Sequence, residues 1–207
     1  MQIYTYPLGP LQTNSYLVVN EETKQGIIID AGMNPAVLIK KASDYNVEGI
    51  LLTHAHFDHM GGVEEIRKAV NAPVYVHSVE QSFIQNPELN LSSNWSMTGQ
   101  GIKGKPAENE YKDGDLLELA GMKIIVLETP GHTPGSVSLL IGKHIFTGDA
   151  LFQGSIGRTD FPGGSFTQLK KSIFTQLFTL HDETVVYPGH GLTTTIGKEK
   201  KENPFLV

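Results

Sequence analysis

The apolar positions of this chain fall into short runs that alternate between two periods. Gln2 to Tyr6, Ser15 to Val19 and Gly26 to Asp30 are rich in Ile, Val and Tyr. They are separated by Pro7-Leu8-Gly9-Pro10 and by the polar stretch Asn20 to Lys24, a pattern that predicts three strands. Ile27-Ile28-Ile29 is apolar at every position and predicts a strand buried on both faces. Asn34-Pro35 predicts a helix start, with Asn as cap and Pro at the first helical position, and the helix runs to about Tyr45. Val47 to Thr53 predicts the next strand. Val63, Ile66 and Val70 recur at i, i+3 and i+7, the inner face of a second helix, with Glu64 and Glu65 in the first turn where the helix dipole favours negative charge. Pro73 to His77 is a further short strand.

Residues 86–112 break the pattern. Asn86-Pro87, Ser92-Ser93-Asn94, Gly99, Gly101, Gly104 and Pro106 leave little periodicity, and this stretch, which holds Trp95 and Met97, reads as a lid over a site. Leu116 to Leu119 and Lys123 to Leu127 predict strands again, and Val137 to Ile141 with His144 to Phe146 predict a hairpin around Gly142-Lys143. Gly154 to Gly164 is a loop. Ser165 caps a helix with Phe166, Leu169, Ile173 and Leu177 on one face, and Thr184 to Tyr187 is a final strand. Alternating strands and helices predict a layered α/β fold in a single domain over residues 1–207, with loops converging along one edge.

Residues of metal-ligand type sit at the ends of these strands. His54-x-His56-x-Asp58-His59 follows Gly49-Ile50-Leu51-Leu52; His132 lies in Thr129-Pro130-Gly131-His132; Asp149 follows Thr147-Gly148; His190 follows Tyr187-Pro188-Gly189. His54 and His56 are two apart, so in extended chain both rings point to one side. The set of five histidines and two aspartates suits two ions, each with about three protein ligands and a shared group. Asp30, at the end of a central strand, is either a turn residue or a group that orients a ligand histidine. His77, His144 and His181 read as structural or surface residues.

Composition narrows the chemistry. The 207 residues carry 39% hydrophobic and 18% charged side chains, an ordinary globular balance, and a net charge of −6 that argues against a nucleic-acid surface. Lys198, Lys200 and Lys201, interrupted by Glu199 and Glu202, read as a solvated tail. There is no cysteine, so any metal is held by imidazole and carboxylate, and a thiol nucleophile is excluded. The opening residues lack a basic start followed by an apolar run, and no stretch approaches the roughly 20 apolar residues of a membrane span, so the cytoplasm is the expected compartment and no membrane contact is expected.

The HxHxDH pattern, the histidine in TPGHTPGS, the aspartate in FTGDALF and the histidine in YPGHG resemble, in type and order, the metallo-β-lactamase fold superfamily. The resemblance implies a four-layer αβ/βα sandwich with metals at one edge of two sheets. Carried over by position, the first metal takes His54, His56 and His132, the second takes Asp58, His59 and His190, and Asp149 bridges them. Asp30 matches the early strand-end aspartate that orients a ligand. Within the superfamily, Ser155 to Gly164, with Gly157-Arg158-Thr159-Asp160, and the closing Thr193 to Gly197 and Asn203 to Leu206 look like the small, single-domain glyoxalase II-like hydrolases.

That likeness implies two Zn²⁺, with Fe or Mn as alternatives at either position, and a hydroxide between them attacking a small-molecule thioester (S-lactoylglutathione-like) or ester, with Asp58 orienting it as a catalytic group. Arg158 either pairs with a substrate carboxylate or forms an ion pair with Asp160. The chain ends 17 residues after His190, short of the separate C-terminal glutathione-binding domain of full-length glyoxalase II enzymes. The alternative resemblance, to persulfide dioxygenases, implies a single Fe(II) on His56, His132 and Asp149 with O₂ as co-substrate. A secreted β-lactamase would carry an export signal, and a tRNA-processing ribonuclease a basic arm.

Overall fold

Two six-stranded sheets and a small hairpin organise the chain in a computed structural model that describes residues 1–95 and 98–207; Met97 of the expected lid lies outside the described residues. The chain divides into two compact units, Met1–Tyr111 with Glu118–Met122, and Lys112–Leu117 with Lys123–Val207. Among the described residues no helix is long and apolar enough to cross a membrane.

The first unit holds the sheet β1-β2-β3-β4-β5-β6. Its strands are β1 (Gln2–Leu8), β2 (Thr13–Asn20), β3 (Gln25–Ile29), β4 (Asn46–Leu51), β5 (Val74–His77) and β6 (Asn109–Tyr111). The first three pair antiparallel, and β3 to β6 pair parallel. Ile27, Ile28 and Ile29 are fully buried, as their unbroken apolar run predicts. Helices α1 (Ala36–Ala42), α2 (Phe57–Met60), α3 (Val63–Val70) and α4 (Gln81–Gln85) supply Leu38, Met60, Val63, Ile66 and Ile84 to one core with Leu17, Ile28, Ile50 and Val74.

Three local expectations change. Pro35, not Asn34, is the N-cap of α1; Asn34 takes a left-handed turn at φ 58° and makes no capping bond, and the helix ends at Ala42 because Tyr45 N–H turns back to the Ala42 carbonyl. Strand β4 stops at Leu51 because Thr53 N–H leaves the ladder for the Asp30 carboxylate. The irregular stretch 86–112 ends in β6, whose Asn-Glu-Tyr sequence carries no apolar alternation to announce a strand.

The other sheet has the order β14-β13-β10-β9-β8-β7 and belongs to the second unit apart from Glu118, Leu119 and Met122, with β7 (Leu116–Leu119), β8 (Met122–Glu128), β9 (Val137–Ile141), β10 (His144–Gly148), β13 (Val185–Pro188) and β14 (Thr194–Thr195). The hairpin β11 (Leu151–Phe152) and β12 (Ser155–Ile156) follows β10. Ser165 caps α5 (Phe166–Ser172), which continues as a π-helix over Ile173–Leu177. Leu169, Ile173 and Leu177 are buried at i, i+4 and i+8, whereas Phe166, expected on the same face, lies on the exposed side of the first turn. The expected solvated tail is instead α6 (Ile196–Glu202): Lys200 pairs with Asp182 at 2.7 Å, and Glu199 is buried, accepting from Thr194 Oγ1, Gly154 N and Asn203 Nδ2.

Candidate metal centre

In the first unit the chain leaves β4 and runs through Leu52 to His56 without regular structure. A buried backbone without a ladder needs other partners, and side chains provide them. Tyr111 hydroxyl donates to the Leu52 carbonyl; Thr53 N–H and Oγ1–H donate to Asp30 at 2.8 and 2.9 Å; Ala55 N–H donates to Glu80 Oε2 at 3.0 Å. Phe57 N–H then donates to the Asn90 carbonyl at 2.9 Å as α2 begins. His54, His56, Asp58 and His59 are all buried.

Asp30 also lies 2.9 Å from His59 Nδ1. An ionised carboxylate can only accept, so the imidazole Nδ1 donates here, and Nε2 is the nitrogen available to a metal. That Nε2 stands 3.5 Å from Asp58 Oδ2, which accepts the Thr13 hydroxyl at 2.8 Å. The His54 ring lies 4.8 Å from that of His56 and 4.1 Å from that of His59. Candidate ligand atoms of His54 and His56, of His54 and His59, and of Asp58 and His59 lie within 4.8 Å of each other. The shared direction of His54 and His56 expected from extended chain is thus achieved by a loop rather than a strand.

In the second unit, strand register brings Asp149 and His190 together. β10 and β13 are parallel, with Gly148 opposite Pro188, and Gly189 N–H donates to the Gly148 carbonyl at 2.7 Å. Both aspartate and histidine therefore emerge at the same sheet edge. His132 Nδ1 donates to the Arg158 carbonyl at 2.7 Å, which leaves Nε2 as its acceptor nitrogen. His132 Nε2 and His190 Nε2 lie 3.5 and 3.7 Å from one atom, Asp149 Oδ2. Gly157 has no room for a side chain: a Cβ there would stand 1.8 Å from the Asp149 carbonyl oxygen.

These separations fit a metal better than hydrogen bonds. Donors at about 2.1 Å from one tetrahedral ion stand roughly 3.4 Å apart, and a contact of 3.5–3.7 Å is long for a proton shared between nitrogen and oxygen. Imidazole nitrogen with carboxylate oxygen, without thiolate, is a donor set for zinc, iron or manganese.

Arg158 clasps Asp160 through two bonds of 3.0 and 2.8 Å and stacks 4.3 Å from the Phe161 ring centroid. The hydrogen bond from Arg158 holds the Asp160 carboxyl below the usual carboxylate range and pushes the guanidinium up. Of the histidines read as structural, His77 accepts from Val79 N–H at 3.3 Å and His144 packs against Tyr187. Sequence reasoning missed Thr13, Thr53, Glu80, Tyr111 and the Arg158 carbonyl. The polar run Gln12-Thr13-Asn14-Ser15 opening a buried strand could have flagged Thr13; nothing in the sequence marks Glu80.

The metallo-beta-lactamase superfamily model matches residues 8–190. The chain is 37% identical to the probable metallo-hydrolase YqgX of Bacillus subtilis over 97% of its own length and 95% of that protein. It is 35% identical to the hydroxyacylglutathione hydrolase GloC of Haemophilus influenzae over 100% and 98%. Among solved structures it is similar to the BLEG-1 B3 metallo-beta-lactamase (41% identity, all of both chains, TM-score 0.94). It is also similar to TTHA1623 in a di-iron-bound form (37%, 98% and 100%, TM-score 0.82) and to ETHE1 from Myxococcus xanthus (31%, 99% and 84%, TM-score 0.79).

Proposed function

This chain belongs to the metallo-beta-lactamase superfamily, and from that premise we propose that it hydrolyses a thioester or ester with two divalent ions, zinc foremost. His54, His56 and His132 would hold one ion, Asp58, His59 and His190 the other, and Asp149 would be shared. The observation that carries the reading is Asp149, whose single oxygen Oδ2 is faced by the Nε2 atoms of both His132 and His190. Likeness to a protein named as a hydroxyacylglutathione hydrolase supports a thioester as substrate.

Bound ions would supply Lewis acidity toward the carbonyl and lower the pKa of water toward about 7. Asp58, fixed by Thr13, would orient the attacking water by accepting a hydrogen bond from it. A thiolate leaves readily, so the site needs no strong general acid. Arg158 would bind a substrate carboxylate by exchanging Asp160 for it, since both side chains are largely exposed. Residues 86–112 would cover the His56 side, where Trp95 lies 5.4 Å from Phe57, ring to ring.

A second reading, persulfide oxidation at one iron on His56, His132 and Asp149, draws on the Gly157-Arg158-Thr159-Asp160 segment and on the likeness to ETHE1. Protein of known metal content, assayed for S-lactoylglutathione and ester hydrolysis, for β-lactam cleavage and for oxygen uptake with glutathione persulfide, separates the readings. Thioester hydrolysis without oxygen uptake is expected; oxygen uptake with inert thioesters would replace the first reading with the second.

A further inference from the structure

Thr13 opens β2, opposite Leu8 in the β1–β2 pair, and is fully buried. A buried hydroxyl at the end of a strand ordinarily bonds to backbone; this one donates to the carboxylate of Asp58, 45 positions along the chain, at 2.8 Å. The oxygen it reaches, Oδ2, is the one that lies 3.5 Å from His59 Nε2. Two fixed groups therefore hold the Asp58–His59 pair. Asp30 sets the His59 ring from its Nδ1 side, and Thr13 sets the Asp58 carboxylate from the strand side. Nearby backbone bonds make the frame rigid: Ala31 N–H donates to the His59 carbonyl at 2.6 Å, and Gly32 N–H donates to Ser15 Oγ at 2.9 Å, one pleat along β2 from Thr13.

We infer that Thr13 is a positioning residue for the metal position served by Asp58 and His59, and that it acts on that position and not on the one served by His54 and His56. The inference rests on the two-ion reading above. It follows from geometry. An ionised carboxylate can point its ligating oxygen through several rotamers, and the Thr13 hydrogen bond selects one. No bond from Thr13 reaches His54 or His56; the backbone between them is held by Glu80. Loss of a group that orients a ligand typically weakens metal binding by about 10–100-fold.

The test titrates the metal-free, full-length protein with Zn²⁺ against a chromophoric chelator, with thermal melting of the metal-free protein in parallel. Wild type is expected to bind two equivalents. Thr13→Val, which keeps shape and removes the hydroxyl, should weaken one equivalent by about 10–100-fold and leave the other and the melting temperature unchanged. Thr13→Ser should restore both. His59→Ala should weaken the same equivalent, and adding Thr13→Val to it should cost little more, as expected for groups serving one position.

Two full-strength equivalents in Thr13→Val, equal weakening of both, or a Thr13→Ser variant as weak as Thr13→Val would overturn the inference while the two-ion reading stands. A wild type that binds one equivalent removes both. Selective loss of one equivalent in a protein that hydrolyses no thioester or ester would uphold Thr13 and sink the hydrolase reading.

Discussion

His132 and Arg158 are joined through the backbone: the imidazole Nδ1 donates to the Arg158 carbonyl oxygen at 2.7 Å, while the guanidinium turns away to Asp160 and Phe161. One residue thus has two separable jobs. Removing the side chain in Arg158→Ala leaves the carbonyl in place, so metal content should be unchanged, and stability should fall by less than about 1 kcal/mol because the ion pair is exposed. If the guanidinium takes a substrate carboxylate, KM for an anionic thioester should rise about 10-fold with little change in kcat, the loss of one charge-assisted pair. A large fall in metal affinity on Arg158→Ala would show that the side chain, not the carbonyl, supports His132.

Gly157 and Gly154 flank β12 and should respond unequally to the same substitution. A Cβ at 157 would collide with the Asp149 carbonyl, 1.8 Å away, and no side-chain rotation relieves it. Gly157→Ala should displace the backbone of Asp149, lower metal affinity and destabilise the protein by about 3 kcal/mol or more. Gly154 has positive φ but open space around it, so Gly154→Ala should cost only about 1–2 kcal/mol and leave metal affinity unchanged. Metal analysis and thermal melting of the two variants check the contrast; equal metal retention would mean that the Asp149 loop yields.

An acid-sensitive cluster is built around Glu21. Glu21 accepts from Lys24 Nζ at 2.6 Å and from the Tyr45 and Tyr4 hydroxyls at 2.9 Å each. Lys24 foremost, then the tyrosines, hold its carboxyl from the ordinary 4.5 down to about 2. A carboxyl whose folded value is depressed stabilises the fold above its unfolded value, and that contribution fades as pH falls from 4.5 toward about 2. Glu21→Gln should therefore melt below wild type at pH 7, and the gap should close under acid. Tyr4, pushed up to about 12 by its bonds to Tyr45 and Glu21, acts in the other direction, its contribution complete below pH 10 and lost as pH rises through about 12. A gap between Glu21→Gln and wild type that stays constant from pH 7 to 3 would exclude this account.

Much of the fold was legible because its strands are apolar runs cut by Pro, Gly and Asn: Ile27-Ile28-Ile29 and the Gly142-Lys143 hairpin emerge as read. The candidate ligands could be proposed because metal chemistry restricts residue types and each follows a strand, directly or, for Asp58 and His59, in the short helix α2 after β4. What escaped depends on long-range packing. Strand β6 is three residues whose place is set by β5, and Glu199, surrounded by lysines in sequence, is buried because α6 turns it toward Thr194 and Asn203. The partners of Thr13 and Glu80 were hidden because their bonds span 45 and 25 positions. Phe166 misled because the buried stripe of its helix begins one turn later.

Asp30 concentrates the most consequence in one substitution. Its carboxylate accepts Thr53 N–H, Thr53 Oγ1–H and His59 Nδ1–H, three donors and no acceptor, from a backbone at φ 58°. Asparagine matches the shape but replaces one acceptor oxygen with an N–H group. If that group faces Thr53, two donors meet, and the buried mismatch should cost about 1–3 kcal/mol. If it faces His59, Nδ1 must become the acceptor, and the ring proton moves to Nε2, the nitrogen needed for the metal. Either arrangement should lower metal affinity by about 10–100-fold. Unlike Thr13→Val, Asp30→Asn should also lower the melting temperature of the metal-free protein, because Thr53 is where β4 leaves the sheet. Nitrogen chemical shifts of the His59 ring report the tautomer directly. Wild-type melting together with an unchanged His59 tautomer in Asp30→Asn would show that the carboxylate sets neither the strand exit nor the ligand.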